Sequence, residues 1–249
     1  MQCLGAPPVE PVARRPGRVY VAALHWNSEQ ILRSHWNAAV VALAHALGPE
    51  NVFVTVYESG SWDDSKGALR ELDGALDGLG VRRNMTLSDV THEDVMSPIG
   101  MGAGWVRTPR GRTELRRIPY LAQLRNWVLE PLQALARQGE KFDVVLFLNV
   151  VIFTTDDVLR LLSTNGGDFA AACSLDFSIP PRIYDTFALR DAEGHEMLTQ
   201  TWPYFRAQVS RQALMANRPT PVASCWNGMG ESSSDATRVH GAFAPSDDS

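Results

Sequence analysis

The chain has 249 residues, 45% of them hydrophobic, enough to build one sizeable domain or two small ones. A formal charge of -5, with no basic run and no Lys/Arg face interleaved with aromatics, argues against nucleic acid as a partner. No stretch nears the roughly 20 apolar residues needed to cross a bilayer, and the opening MQCLGAPPVEPVARRPGR lacks the apolar centre of a signal peptide, so neither anchor nor leader is expected within this sequence.

In chain order, RVYVAALH (18–25) is a β-prone apolar run, and Asn27 with Gln30 three residues later resembles a capping box opening a helix. That helix, about 28–47, carries Ile31, Leu32, Trp36, Ala39, Val40, Leu43 and Leu47 at helical spacing and stops at Gly48-Pro49. NVFVTVY (51–57) is a second strand. After ESGSWDDS comes a helix with Ala68, Leu69, Leu72, Ala75, Leu76 and Leu79 on one face and Gly80 at its end.

Residues 81–117 are polar, with Gly and Pro concentrated from 97 to 111, which suggests a lid or binding loop. IPYLAQLRNWVLEPLQALARQG reads as a helix with Pro119 in its first turn and a kink or break at Pro131. DVVLFL (143–148) has the unbroken apolar character of a central parallel strand. TTDDVLRLLSTNGG is a short capped helix, and DFAAACS the next strand.

The order β-α-β-α-loop-α-β-α-β predicts an α/β sandwich with ligands beyond the carboxyl ends of its strands. The boundaries that follow are a flexible segment at 1–17, a folded domain at 18–230 and a disordered tail at 231–249, where few residues could enter a core. Cys3, Cys173 and Cys225 have no CxxC spacing and no adjacent His cluster, so a zinc site is not expected and at most one disulfide can form.

Three strand ends are therefore candidate sites. The first is His25-Trp26-Asn27. At the second, Glu58 can accept hydrogen bonds from a base or ribose, Gly60 lets the chain turn closely past a ligand, and Asp63 to Ser65 can cap the next helix. An acidic Gly/Ser turn that only caps a helix fits the same residues. The third is Leu148-Asn149-Val150, where an amide oxygen can ligate a hard cation but brings no charge, and valine cannot ligate at all. A strand with a polar end fits it equally well.

The segment CSLDFSIPPRIYDTFALRDAEGHE gathers Asp176, Asp185, Asp191, Glu193, His195 and Glu196. That density suits a general base, sugar binding, metal ligation or a solvated loop. GMGAG at 100–104 follows no strand and opens no helix, so it is not a dinucleotide motif. His35 and His45 point about 80° apart on their helix and form no ligand pair. His92-Glu93-Asp94 reads as a solvated loop. Asn84-Met85-Thr86 fits a glycosylation acceptor only as weakly as a triplet that chance supplies about once in such a chain.

HWNSEQILRSHWN, VYESGSWDDSKGALRELD, GWVRTPRGRTELRRIPYLAQLRN, FLNVVIFTTDDVLRLLSTNGGDFAAACSLDF, YDTFALRDAEGHE, QTWPYFR and PVASCWNGM form one collinear series over about residues 19–229. Together they resemble the fungal family of capsule-associated and cryptococcal α-1,3-mannosyltransferases. The resemblance implies a retaining transfer of mannose from GDP-mannose to a mannose-containing acceptor glycan, assisted by Mn or Mg, in the Golgi. It also implies a GT-A-like (Rossmann-like) nucleotide-sugar transferase sandwich, shortened at its C-terminus here because relatives continue beyond the matched segment.

Carried onto this chain, the resemblance implies donor binding by His25, Trp26, Glu58, Gly60, Asp63 and Asp64, a metal ligand at Asn149, and catalytic carboxylates at Asp176 and Asp185. Relatives read Leu-Asn-Asp where this chain reads Leu148-Asn149-Val150, so the charged member of the metal motif is missing. Two other readings stand beside this one: a degenerate member that binds a nucleotide sugar without turning it over, and a metal-dependent hydrolase using Asp176, Asp185 and His195.

Overall fold

The computed structural model describes residues 17–90, 105–107, 111, 113–115, 117–184, 186–226 and 228–233. Strands β1 (Val19–His25), β2 (Val52–Glu58) and β3 (Arg82–Leu87) run parallel, as does β6 (Val144–Leu148) on the other side of β1. Strand β12 (Met229–Ser233) enters antiparallel between β6 and β7 (Ala171–Cys173), giving the order β3-β2-β1-β6-β12-β7. Three two-stranded pairs stand apart: β4 (Trp105–Arg107) with β5 (Thr113–Leu115), β8 (Phe177–Ile179) with β9 (Arg182–Ile183), and β10 (Arg190–Asp191) with β11 (Val222–Ser224).

The apolar runs are continuous because both sheet faces are covered. Val19, Val21 and Ala23 of β1 join one core with helices α2 (Asn37–Leu47), α3 (Ser65–Gly78) and α5 (Thr155–Leu162). Tyr20 and Ala22 point the other way, into a core formed with Val128, Leu129 and Leu135 of α4 (Arg117–Arg137). The result is the α/β sandwich that the element order predicted. A third small core, around Ile183, Leu189, Tyr204 and Phe205, packs the region that precedes and includes helix α6 (Gln208–Met215).

The first helical segment departs from the simple reading. After a short turn, α1 (Glu29–Ile31), Leu32–Trp36 form a π-turn that runs into α2. The wider turn keeps Leu32 and Trp36 fully buried, and such turns often mark functional positions. The expected capping box does not form: the N-cap is Ser28, which makes no side-chain cap bond. Asn27 instead has φ +48, and its side-chain oxygen accepts from the Trp62 N–H at 2.9 Å.

Other expectations hold. Asp64 caps α3 through the Gly67 N–H, and Thr154 with Asp157 makes a reciprocal capping box on α5. The break considered at Pro131 does not occur: the proline lies inside α4, which runs on to Arg137. His35 and His45 are exposed surface residues.

Two segments read as loop or tail belong to the sheet. Within 81–117, Arg82–Leu87 is the edge strand β3, alternating exposed and half-buried residues. Its polar outward face hid it, and Arg83 is held against α3 by Asp73 and Asp77. Glu231 to Ser233, placed in the tail, continue β12 between two strands, and Glu231 is buried. Cys173 and Cys225 form a disulfide, joining the end of β7 to the segment after β11. The Gly-rich run 100–104 and His92-Glu93-Asp94 lie outside the described residues.

Candidate functional site

Parallel strands end together. In register, His25 pairs with Glu58, and Ala22 with Phe147, which sets Asn149 beside the last residues of β1. Because β12 runs the other way, its first residue, Met229, pairs with Leu148, and Gly230 pairs with Cys173. The carboxyl ends of β1, β6 and β7 and the start of β12 thus meet along one edge. A cleft of about 1990 Å³ opens there, lined by His25, Trp26, Asn149, Val150, Asp176 and Gly228 among others.

His25 forms part of the cleft lining yet is only 2% exposed. Its ring meets Trp36 edge-on at 4.4 Å. Neither ring nitrogen has a hydrogen-bond partner among the described residues, and burial pushes its pKa down to about 3. The imidazole is therefore neutral, with one N–H donor and one acceptor nitrogen. Buried polar atoms are normally satisfied, so this pair is suited to a ligand. Trp26 is partly exposed beside it, in edge contact with Trp62 at 5.4 Å.

The turn after β2 is bound tightly to the segment after β1. The buried Glu58 accepts from the Ser61 N–H and lies 4.0 Å from Lys66 Nζ. Gly60, with φ +67, takes the left-handed conformation that this turn requires. Asp63 accepts from the N–H groups of Glu29 and Ser65, both at 3.0 Å, and Asp64 accepts from Arg33 at 2.6 Å. Glu58, Gly60, Asp63 and Asp64 therefore build the loop, while Ser59 is its cleft-lining residue.

At the other end, the Asn149 N–H donates to the Gly228 carbonyl at 2.8 Å, and the Asn149 carbonyl accepts from Trp36 Nε1 at 3.1 Å. Asp176 accepts from the Ser174 hydroxyl at 2.7 Å with one oxygen and from the Gly228 N–H with the other. Gly228 is needed for this closeness: a Cβ there would lie 2.6 Å from Asp176 Oδ2 and 2.7 Å from Val151 Cβ. Val150 is 48% exposed at the rim. With one amide, one engaged carboxylate and one valine, and no group of three or more His, Cys, Asp or Glu placed to hold a metal among the described residues, this edge does not by itself fit the expected divalent cation.

Asp185 lies outside the described residues. Asp191 is fully buried as a structural acceptor for the N–H groups of Glu193, His195, Arg206 and Ala207 at 2.7–3.2 Å. His195, 3.5 Å from Asp191, does not line the cleft, so the hydrolase constellation with Asp176 is not assembled.

The sequence reading looked at strand ends and at the acidic segment 173–196, and so missed residues reaching the cleft from elsewhere. Tyr120 and Arg125 come from α4, Arg160 from α5, and Arg218 and Trp226 from the chain around β11. Tyr120 bonds to the Ser59 side chain, and burial raises its pKa despite that bond. The Arg125 guanidinium sits 4.1 Å over the Trp226 ring. The available signal was that Tyr120, Arg125, Arg160 and Trp226 all lie within segments of the family resemblance.

The family profile described as "Cryptococcal mannosyltransferase 1" matches residues 18–241. The chain belongs to this family. The match runs beyond residue 229, where the sequence resemblance was read as ending, and takes in β12. Membership and the α/β frame accord with the GT-A-like sandwich that the resemblance implied. No curated protein matches the chain.

Among solved structures, the chain is similar to the mannosyltransferase PcManGT from Pyrobaculum calidifontis, in complex with GDP-Man and Mn2+, at 12% identity over 66% of this chain and 37% of that one, TM-score 0.35. S. aureus TarS 1-349 aligns at 9% identity over 92% and 51%, TM-score 0.45. A mycobacterial protein aligns at 13% identity over 92% and 59%, TM-score 0.35. The chain spans between 37% and 59% of the lengths of these three. Among the described residues no helix is long and apolar enough to cross a membrane.

Proposed function

We propose that this chain binds GDP-mannose in the cleft at the carboxyl edge of its sheet and transfers the mannosyl group to a mannose-containing glycan, forming an α-1,3 linkage with retention. The family match over residues 18–241 is the observation that carries this reading. The buried His25 in the cleft wall supports it, because neither ring nitrogen has a hydrogen-bond partner among the described residues.

In this reading the bond from mannose C1 to the β-phosphate oxygen breaks, a bond from C1 to an acceptor hydroxyl oxygen forms, the hydroxyl proton is released, and GDP departs. His25 and Trp26 contact the donor. Glu58, Gly60, Asp63 and Asp64 hold the loop that presents Ser59 to it. Asp176, with Asp185, serves the acceptor side, where a carboxylate can accept the hydroxyl proton. The Cys173–Cys225 disulfide suits an oxidising compartment such as the Golgi lumen.

The test is incubation with GDP-mannose labelled in the sugar and an α-mannose oligosaccharide, followed by linkage analysis of the extended product. A melting temperature unmoved by GDP-mannose, both with manganese and with a chelator, would sink the donor site itself.

A further inference from the structure

We propose that in this chain the diphosphate of the nucleotide donor is met by the Arg125 guanidinium, in place of a divalent cation held by protein carboxylates. This rests on the donor reading above. A nucleoside diphosphate leaves with at least two negative charges, and transfer requires opposite charge already in position at the leaving oxygens. The edge where a cation would sit does not provide it. Asn149 is neutral, Val150 cannot ligate, and Asp176, bonded to Ser174 and Gly228, is a single carboxylate there rather than a pair.

The compensating charge comes from α4. Arg125 Cζ lies 4.1 Å over Trp226, whose ring is 5.1 Å from that of Phe147, two residues before Asn149. Arg125, Trp226, Asn149 and Gly228 all line the same cleft. The aromatic contact fixes the guanidinium against a ring that itself packs on β6, and arginine stays charged and can bind phosphate oxygens through paired N–H groups.

The charge balance of the cleft points the same way. Its described lining holds three arginines, Arg125, Arg160 and Arg218, against two aspartates, Asp157 and Asp176, in a chain whose formal charge is -5. The surplus is positive where a diphosphate would bind.

The experiment measures GDP affinity by calorimetry in chelator and in manganese, for the full chain and for Arg125→Gln and Arg125→Lys. Expected is equal affinity, within about threefold, in the two buffers, and a loss of roughly tenfold or more in Arg125→Gln that Arg125→Lys partly restores, as for a charge-assisted phosphate contact. Val150→Asp should make GDP binding respond to manganese. Binding by the wild type only in manganese overturns this inference and leaves the donor reading standing. Wild-type affinity in a folded Arg125→Gln, checked by circular dichroism, also overturns it. Absence of GDP binding in both buffers removes the donor reading and this inference with it.

Discussion

The indole N–H of Trp36 donates to the backbone carbonyl of Asn149 at 3.1 Å, while the same ring meets His25 edge-on at 4.4 Å. One buried side chain thus ties the π-turn before α2 to the ends of β1 and β6. Trp36→Phe keeps most of the packing but leaves the Asn149 carbonyl without this donor. The expected cost is about 1–3 kcal/mol in stability, read as a lower urea midpoint with an unchanged m-value. A weaker response of the melting temperature to GDP-mannose should accompany it, because the strand end is no longer held.

Two buried titratable groups give the stability opposite pH dependences. Burial raises Glu231 to about 8, and neither of its oxygens has a partner among the described residues. The folded state therefore keeps a proton that the unfolded chain releases above its ordinary pKa of 4.5, so this contribution falls as pH rises from about 4.5 to 8. His25, held near 3, works the other way: the unfolded chain takes up a proton below 6.5, so stability is lost as pH falls from about 6.5 to 3. Each slope is about 1.4 kcal/mol per pH unit, and the two offset one another between about 4.5 and 6.5. Urea titrations at pH 5 and pH 8 should show Glu231→Gln removing the loss on the alkaline side. A variant that keeps the whole of that loss would show that Glu231 is not its source.

The Cys173–Cys225 disulfide closes a separation of 52 residues. By chain entropy its removal should cost about 4 kcal/mol. Cys173→Ser with Cys225→Ser, or reduction of the native chain, should lower the denaturant midpoint to the same extent. A midpoint unchanged by reductant would show the bridge is not formed in solution.

Asp191 organises the loop that follows it through four backbone N–H groups while fully buried. Asp191→Ala leaves those donors unsatisfied and should destabilise by about 3 kcal/mol or more. Asp191→Asn, with one acceptor oxygen, should fall between the variant and the native chain. His195→Ala, by contrast, should leave transfer and stability near native, since that ring is half exposed and outside the cleft.

Periodicity and punctuation alone determined much of this protein. The apolar runs of β1, β2 and β6, the spaced leucines of α3, the Thr154 cap and the glycine stops are local, and each is specified by side chains within a few residues of one another. From them the α/β class followed, and the structure gathers His25, Trp26, Asn149 and Asp176 into the lining of one cleft.

What tertiary structure decided was long-range. β3 and β12 are polar or short, and become strands only because β2, β6 and β7 supply their hydrogen-bond partners. Glu58, Asp63 and Asp64 look like ligand residues by composition, and only the fold shows that Asp63 and Asp64 also tie their turn to Glu29 and Arg33 across the sheet edge. Arg125 sits within a helix, in a segment of the resemblance but without a pattern that assigns it a role; only the packing of α4 and the chain before β12 brings it over Trp226. Charge at a site depends on distances across the fold, and a linear pattern does not contain them.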